Sequence, residues 1–409
     1  MQLVERHIIC KGDSRYTAID AASFASKNLY NLANYHMRQS FIHMGKYLSS
    51  ADVYHLVKDT DAYKALPRKV SNDVLRLLEK NWKAFRKGLA AWFEDPSKFE
   101  DRPKVPKYKD KQKGRNILIY DIQAISKKAL KKRGMIAPSL LGIEIPTKQT
   151  HIKQARIIPR SGFYVVEVVY EQEPKQAAGD PLLVAGIDIG LNNLATLTSN
   201  KAGFTPWLVN GRPLKHINQW YNKERARLQS HLSKHKRHTS ARLERLTNKR
   251  TRKIDHYLHT HSHRIIEHLR EEGIGTVVIG KNDGWKQEIN IGNRNNQQFV
   301  QIPFARFIEM LTYKAELVGI RIVLQEESYT SKCSFLDLEP ICHHEHYLGK
   351  RIKRGLFRTS TGRRINADVN GSLNIIRKAI PESFEQGIEG VAVRPVGPPH
   401  TEQCLSLFR

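Results

Sequence analysis

The stretch Leu183-Val184-Ala185-Gly186-Ile187-Asp188-Ile189-Gly190 decides how this chain is read. An apolar run of this length, closed by a carboxylate and a glycine, predicts a strand buried on both faces that carries Asp188 to its end. Leu194-Ala195-Thr196-Leu197-Thr198 follows after a short connection and predicts a paired strand. Further on, Thr276-Val277-Val278-Ile279 predicts a strand ending at Gly280, and a helix is expected over roughly 300–318. Arg321-Ile322-Val323-Leu324 predicts another strand, running into Glu326 and Glu327. A last helix starts near Asn366-Ala367-Asp368. Strands alternating with helices in this order predict an α/β layer.

Between these strands, about 213–272, lies one long helical stretch with an apolar side supplied by Leu228, Leu232, Leu243, Leu246, Ile254, Leu258, Ile265 and Leu269. Residues 221–270 hold 14 lysines and arginines against four acids, with eight of the 18 histidines. No HExxH pairing is present, so the histidines read as polar-face or phosphate-contacting residues. Toward the N-terminus, residues 1–12 predict a short strand and 17–104 a helical region. Val74, Leu77, Leu78, Trp82, Phe85, Leu89 and Trp92 step by three or four and read as a core stripe. Residues 102–115 carry seven basic side chains and one acid, kept extended by Pro103 and Pro106. Tyr108 lies among those charges, a composition that suits contact with a nucleic-acid backbone. Residues 116–173 alternate with a period of two, so a small β-domain is expected to be interrupted by the helices near its start. Residues 381–409, with Pro395, Pro398 and Pro399, read as a poorly ordered tail.

The 68 lysines and arginines against 40 acids give a formal charge of +28. That excess points to a polyanionic partner, and a phosphodiester backbone is the natural one. No apolar run is long enough to span a bilayer, mean hydropathy is −0.52, and Met1-Gln2-Leu3-Val4-Glu5-Arg6 is no secretory leader. No membrane partner is expected. Cys10, Cys333, Cys342 and Cys404 are scattered, which predicts no disulfide framework.

Asp188, Glu327 and Asp368 stand at two strand ends and a helix start. Converged, three carboxylates can hold two Mg²⁺ ions, which stabilise the attacking and leaving oxygens of phosphodiester cleavage. An acid at a strand end is also an ordinary turn residue, so on spacing alone both readings stand. The motifs go further. Gly186-Ile187-Asp188-Ile189-Gly190-Leu191-Asn192-Asn193-Leu194-Ala195 resembles the first RuvC motif of the TnpB proteins, RNA-guided nucleases of small insertion-sequence transposons. Asn366-Ala367-Asp368-Val369-Asn370-Gly371-Ser372-Leu373-Asn374-Ile375 resembles the third. Arg102-Pro103-Lys104-Val105-Pro106-Lys107-Tyr108 and Tyr329-Thr330-Ser331-Lys332-Cys333 are also similar to that family.

The resemblance implies an α/β RNase H-like (RuvC) nuclease domain, plus a β-barrel wedge domain interrupted by a helical recognition lobe. On this chain it places the wedge at 1–12 and 105–178, the lobe at 13–104, and the nuclease domain at 179–331 and 366–380. A basic insertion fills 332–365. The resemblance further implies a guide RNA from the transposon end, a double-stranded DNA target beside a short adjacent motif, and a monomer on one RNA. A cytoplasmic, nucleoid-associated bacterial location follows from it, or a nuclear one for a eukaryotic source.

Two departures matter. The glutamate usual in the second motif is replaced by Gly280. A subset of TnpB proteins and the eukaryotic Fanzor proteins carry a glutamate three positions before a Thr-Ser pair, which here is Glu327. A strand lies about 4.8 Å from its neighbour, so Glu327 can reach the space that glycine leaves. Glu326 is expected on the opposite face, and Asp283 is the weaker rival. Second, the zinc ribbon of many relatives needs four cysteines, and only Cys333 and Cys342 fall in the insertion, with His343, His344 and His346 nearby. Zinc is therefore not expected. Nucleic-acid contacts are expected from Arg102, Lys104, Lys107, Tyr108 and Lys109, and from Lys234, Lys236, Arg237, Lys249, Arg250, Arg252 and Lys253. Lys350, Arg351, Lys353, Arg354 and Arg358 of the insertion complete the set. The rival functions are an RNA-guided repressor that binds without cutting and a transposase that joins DNA strands.

Overall fold

The structure, a computed structural model, describes residues 1–175, 179–281, 301–385 and 387–398. It divides into two compact units, Met1–Gln172 and Glu173–Arg409.

In the first unit, β1 (Gln2–Cys10) pairs antiparallel along its whole length with β6 (Phe163–Glu171), which hairpins to β5 (Ile152–Arg160). The fourth strand is β2 (Leu118–Asp121), and the sheet order is β1-β6-β5-β2. Four helices enter between β1 and β2: α1 (Tyr16–Met44), α2 (Ser50–Val57), α3 (Asp61–Lys64) and α4 (Arg68–Glu94). Helix α5 (Lys127–Arg133) and the short pair β3 (Met135–Ile136) and β4 (Ile145–Pro146) lie within the region read as purely β. Leu29, Ala33 and Met37 of α1 pack on Val74, Leu75, Leu78, Trp82 and Phe85 of α4. Val74, Leu78, Trp82 and Phe85 of the stripe are thus core, each contributing about 1.5–3 kcal/mol, with Leu89 packed against them and Leu77 and Trp92 half-buried.

The second unit is built on a five-stranded sheet in the order β11-β10-β7-β8-β9. Strand β7 (Asp180–Asp188) is antiparallel to β8 (Asn193–Ser199), which is antiparallel to β9 (Trp207–Asn210). Strand β10 (Ile274–Gly280) runs parallel to β7 and to β11 (Arg321–Gln325). Ala185, Ile187, Val277 and Ile279 face one core. It is shared with α6 (Arg212–Lys234), α7 (Ala241–Glu271) and α8 (Phe304–Leu317). Val184 and Val278 face the other core, which is covered by α9 (Ala367–Ala379). The alternation explains why β7 and β10 read as continuous apolar runs: both faces are buried. The insertion forms a small antiparallel sheet of β12 (Lys350–Lys353), β13 (Leu356–Arg358) and β14 (Arg364–Asn366), and β14 leads directly into α9.

Two expectations change here. The single basic helix is an antiparallel pair, because Lys236 adopts φ 51° and Ser240 caps a new helix by accepting from Leu243 N. Arg250 Nε donates to Asn218 Oδ1 at 2.8 Å across the pair. The tail is also partly ordered. Phe384 is buried, and Val396 exchanges backbone hydrogen bonds with Pro206 and Leu208 at 2.8 and 2.9 Å. Residues 399–409 lie outside the described residues.

Candidate active site

Helix α9 lies against β7 because the strand offers no side chain there. A Cβ on Gly186 would stand 2.5 Å from the Ser372 carbonyl oxygen. Two residues on, Asp188 points to the same face, and a Cβ on Gly371 of α9 would stand 3.1 Å from its Oδ2. Asp368 enters from the first turn of α9, where Asn366 caps the helix by accepting from the amides of Asp368 and Val369. Thr198 Oγ1 and Ser372 Oγ, 2.9 Å apart, fasten the helix to β8.

Gly280 ends β10 on the same face and pairs with Gln325 of β11. The chain then continues two residues past β11, and the Glu327 carboxylate comes to rest over Gly280. A Cβ on Gly280 would collide with Glu327 Oε1 and stand 2.8 Å from its Cδ. The empty space left by glycine is therefore filled from the neighbouring strand. Glu326 is turned away: its Oε2 accepts from Lys378 Nζ at 2.7 Å and its Oε1 from Ser328 N at 2.8 Å. Asp283 lies outside the described residues.

Asp188 is the acid that links the other two. Asp188 is pushed up to about 7 by burial and by the charge of Asp368, with Arg351 opposing. Glu327 is pushed up to about 8 by burial, then by Asp188 and Glu326. In both, burial and then a neighbouring carboxylate disfavour the charged form. Asp368 is held differently. Its Oδ2 accepts from Asn193 Nδ2 at 2.7 Å and its Oδ1 from Arg351 at 3.1 Å. Among the described residues, no three His, Cys, Asp or Glu side chains already close on one point. Hard carboxylate oxygens at neighbouring positions nevertheless fit Mg²⁺, which takes few protein ligands and keeps its waters. A cavity of about 610 Å³ opens beside Asp188 and Asp368, lined also by Asn193, Arg212, Lys215, Arg351 and Arg354.

The amides of the third motif tie the Glu327 turn to α9. Asn374 Nδ2 donates to the carbonyls of Thr330 and Cys333 at 2.9 and 2.8 Å. Asn370 accepts from Phe335 N and donates to the Cys333 carbonyl. Thr330 N in turn donates to the Glu327 carbonyl at 3.1 Å. Asn193, Asn370 and Asn374 all lie inside the quoted motifs, and the i, i+4 spacing of Asn370 and Asn374 on α9 is the available signal. Arg351 is expected from sequence only as one of the insertion's nucleic-acid contacts; its contact with Asp368 depends on how that insertion folds back.

Other basic residues divide. Lys234, Lys236 and Arg237 are exposed at the tip of the α6–α7 pair, and Lys350, Arg351, Lys353, Arg354 and Arg358 are exposed on the insertion. Arg102, Lys104, Lys107 and Tyr108 are exposed, as are Lys249 and Arg252, with Lys253 half-buried. Two are corrected. Lys109 turns inward over the Tyr30 ring, and burial lowers its pKa. Arg250 lies over Tyr221 and donates to the Gln301 carbonyl as well as Asn218, so its guanidinium is spent on packing. Two histidines are corrected as well. His261 is buried 4.2 Å from the Tyr257 ring and pushed down to about 4 by burial, and His268 stacks on Trp207 at 3.7 Å. In the insertion, Cys333 is buried and donates to the Cys342 carbonyl, whereas Cys342 is exposed beside His344.

Residues 167–286 match the OrfB family of IS605 type, described as "Probable transposase". Residues 304–375 match the Cas12f1-like TNB domain. The TnpB-like protein ORF457 of Acidianus two-tailed virus is 24% identical over 397 residues, covering 87% of this chain and 82% of that protein. The CRISPR-associated endodeoxyribonuclease Cas12f2 of a Micrarchaeota archaeon is 29% identical over 234 residues, covering 53% of this chain and 40% of its own length. Among solved structures, a Cas12f1–sgRNA–target DNA complex superposes with a TM-score of 0.54 at 16% identity, over 88% of this chain and 83% of that one.

Proposed function

We propose that this chain, a TnpB-like protein, is an RNA-guided DNA endonuclease that cuts matched duplex DNA by metal-dependent phosphodiester hydrolysis. The observation that carries this reading is the Glu327 carboxylate, seated over Gly280 at the strand end beside Asp188. A glutamate missing from its usual strand and supplied by the next is a relocated site rather than a lost one. A repressor that only binds has no need of the three acids.

The sheet order supports an RNase H-like reading: three antiparallel strands, then two parallel to the first, with Asp188 at the end of central β7, Glu327 two residues beyond edge strand β11 and Asp368 in the first turn of α9. Helices inserted between β1 and β2 support a wedge carrying a recognition lobe, and the charge of +28 supports RNA and DNA partners. We assign Asp188, Glu327 and Asp368 to hold Mg²⁺, two ions when both are bound; the metal supplies charge stabilisation at the reacting oxygens. Arg351, reaching Asp368 from the insertion, is placed to meet the scissile phosphate. A guide from the transposon end, a short adjacent DNA motif and a monomeric complex complete the proposal.

The test is cleavage by the purified protein with its copurifying RNA, sequenced to define the matched duplex, in Mg²⁺. Asp188→Ala, Glu327→Ala and Asp368→Ala are expected to abolish cutting while RNA binding stays near normal, and Glu326→Ala to cut normally. Binding of the matched duplex without any cutting by the unaltered protein would leave the repressor reading in its place.

A further inference from the structure

Helix α1 turns a polar face inward. Ser23, Ser26, Lys27 and Asn34 are all buried, Lys27 at 2% exposure and 3.8 Å from the Phe24 ring centroid. Burying such groups costs free energy unless they are bonded, and Lys27 and Asn34, joined by half-buried Asn31 and Arg38, find acceptors on one segment. Lys27 Nζ donates to the Lys111 carbonyl at 2.7 Å. Asn34 Nδ2 and Arg38 both donate to the Pro106 carbonyl at 3.0 Å. Asn31 grips Lys109 at both ends, donating to its carbonyl and accepting from its amide at 2.9 Å each. Positions 27, 31, 34 and 38 share one face of the helix.

The segment they hold has no sheet to join. Pro103 and Pro106 lack an N–H, so helix side chains replace the missing ladder. Asp110 Oδ1 accepts from the amides of Gln112 and Lys113 at 2.9 and 2.6 Å, which closes a turn and spends the acid on the backbone. With the backbone fastened inward, Lys107, Tyr108, Lys111 and Lys113 are exposed.

We propose that residues 104–113 form a preformed rail for a phosphodiester backbone, and that Lys27, Asn31, Asn34 and Arg38 are positioning residues that hold it. The proposal rests on the nucleic-acid reading above. A row of cations with one aromatic matches a chain of phosphates with stackable bases. Preforming matters because each residue ordered on binding lowers affinity by a factor of about 5–30.

The experiment measures binding of the full chain, stripped of copurifying RNA, to a labelled 20-nucleotide single-stranded RNA and to a 30-base-pair DNA duplex over a KCl series. Lys107→Ala combined with Lys113→Ala is expected to reduce the salt slope by about 1.4 on the RNA or about 1.8 on the duplex. The probe that loses slope identifies which backbone uses the rail. Asn31→Ala and Lys27→Met are expected to weaken that same probe about fivefold or more with the slope unchanged, and to open the segment to trypsin. Binding by the unaltered chain with no change in the surface double variant overturns the rail alone. Unchanged affinity in Asn31→Ala and Lys27→Met overturns the positioning role. No binding of either probe by the unaltered chain overturns both the rail and the nucleic-acid reading.

Discussion

Replacing Gly280 by alanine adds one methyl group where the Glu327 carboxylate already lies. The new Cβ would collide with Oε1 and stand 2.8 Å from Cδ and 2.7 Å from Ile375 Cδ1. Comfortable separations are about 3.5–4.0 Å, so the carboxylate must retreat by roughly 1 Å. A displacement of that size at a reacting centre costs about 10²-fold in rate. The stability cost is smaller: overpacking costs roughly 1–3 kcal/mol, offset in part by the roughly 0.5–1 kcal/mol that alanine regains over glycine in a strand. Single-turnover cleavage of a matched duplex in Mg²⁺, alongside thermal melting and RNA binding, separates the two effects. Gly280→Ala is expected to cut about 100-fold more slowly while folding and binding RNA. The decisive comparison is a double-mutant cycle. In a Glu327→Ala background the carboxylate is absent and only Ile375 Cδ1 crowds the new methyl, so adding Gly280→Ala is expected to cost less in melts than it does in the unaltered chain, and to refill part of the cavity. Wild-type cutting by Gly280→Ala would refute the reasoning. So would a stability loss on adding Gly280→Ala to Glu327→Ala as large as the loss that Gly280→Ala causes in the unaltered chain.

Three further outcomes are expected. Arg351→Ala breaks an exposed pair with Asp368, so melting should move by less than about 0.5 kcal/mol, while single-turnover cleavage slows by about 10²-fold if the guanidinium meets the phosphate; equal rates count against that role. Asn374→Ala strips donors from two carbonyls and is expected to cost about 2–3 kcal/mol in denaturant melts, and to reduce the extra stability conferred by Mg²⁺; an unchanged Mg²⁺ response argues that the turn holds Glu327 without it. Stability without metal should depend on pH: Asp188 and Glu327 have folded pKa values near 7 and 8, above their ordinary 3.8 and 4.5, so the folded state holds more protons. Their contribution is complete below about pH 4 and is lost as pH rises to 8, by at most about 1.4 kcal/mol per pH unit for each group. Urea melts in EDTA from pH 5 to 9 should show this fall, and Asp188→Asn with Glu327→Gln should remove it.

Much of the second unit was legible because burial on both faces of β7 and β10 leaves continuous apolar runs, and such runs need no partner to be recognised. Asp188 and Asp368 were legible for a related reason: each lies at the end of an element whose pattern is local. The break between α6 and α7 was not, since one residue at positive φ interrupts a helix without interrupting its composition. Nor could charge distinguish Lys107, which is exposed, from Lys109, which turns over Tyr30 two residues later.

By itself, the sequence determined the excess of positive charge, the main strands of the second unit and the two acids that the motifs carry. It also determined that a glycine stands where a glutamate was due. Only the tertiary structure decided that Glu327 fills that place, that Arg351 reaches Asp368, and that α1 holds the basic strip. The physical reason is the same in each case. Charge and periodicity belong to a segment, whereas a carboxylate's neighbours and a buried donor's acceptor come from segments distant along the chain, and only packing brings them together.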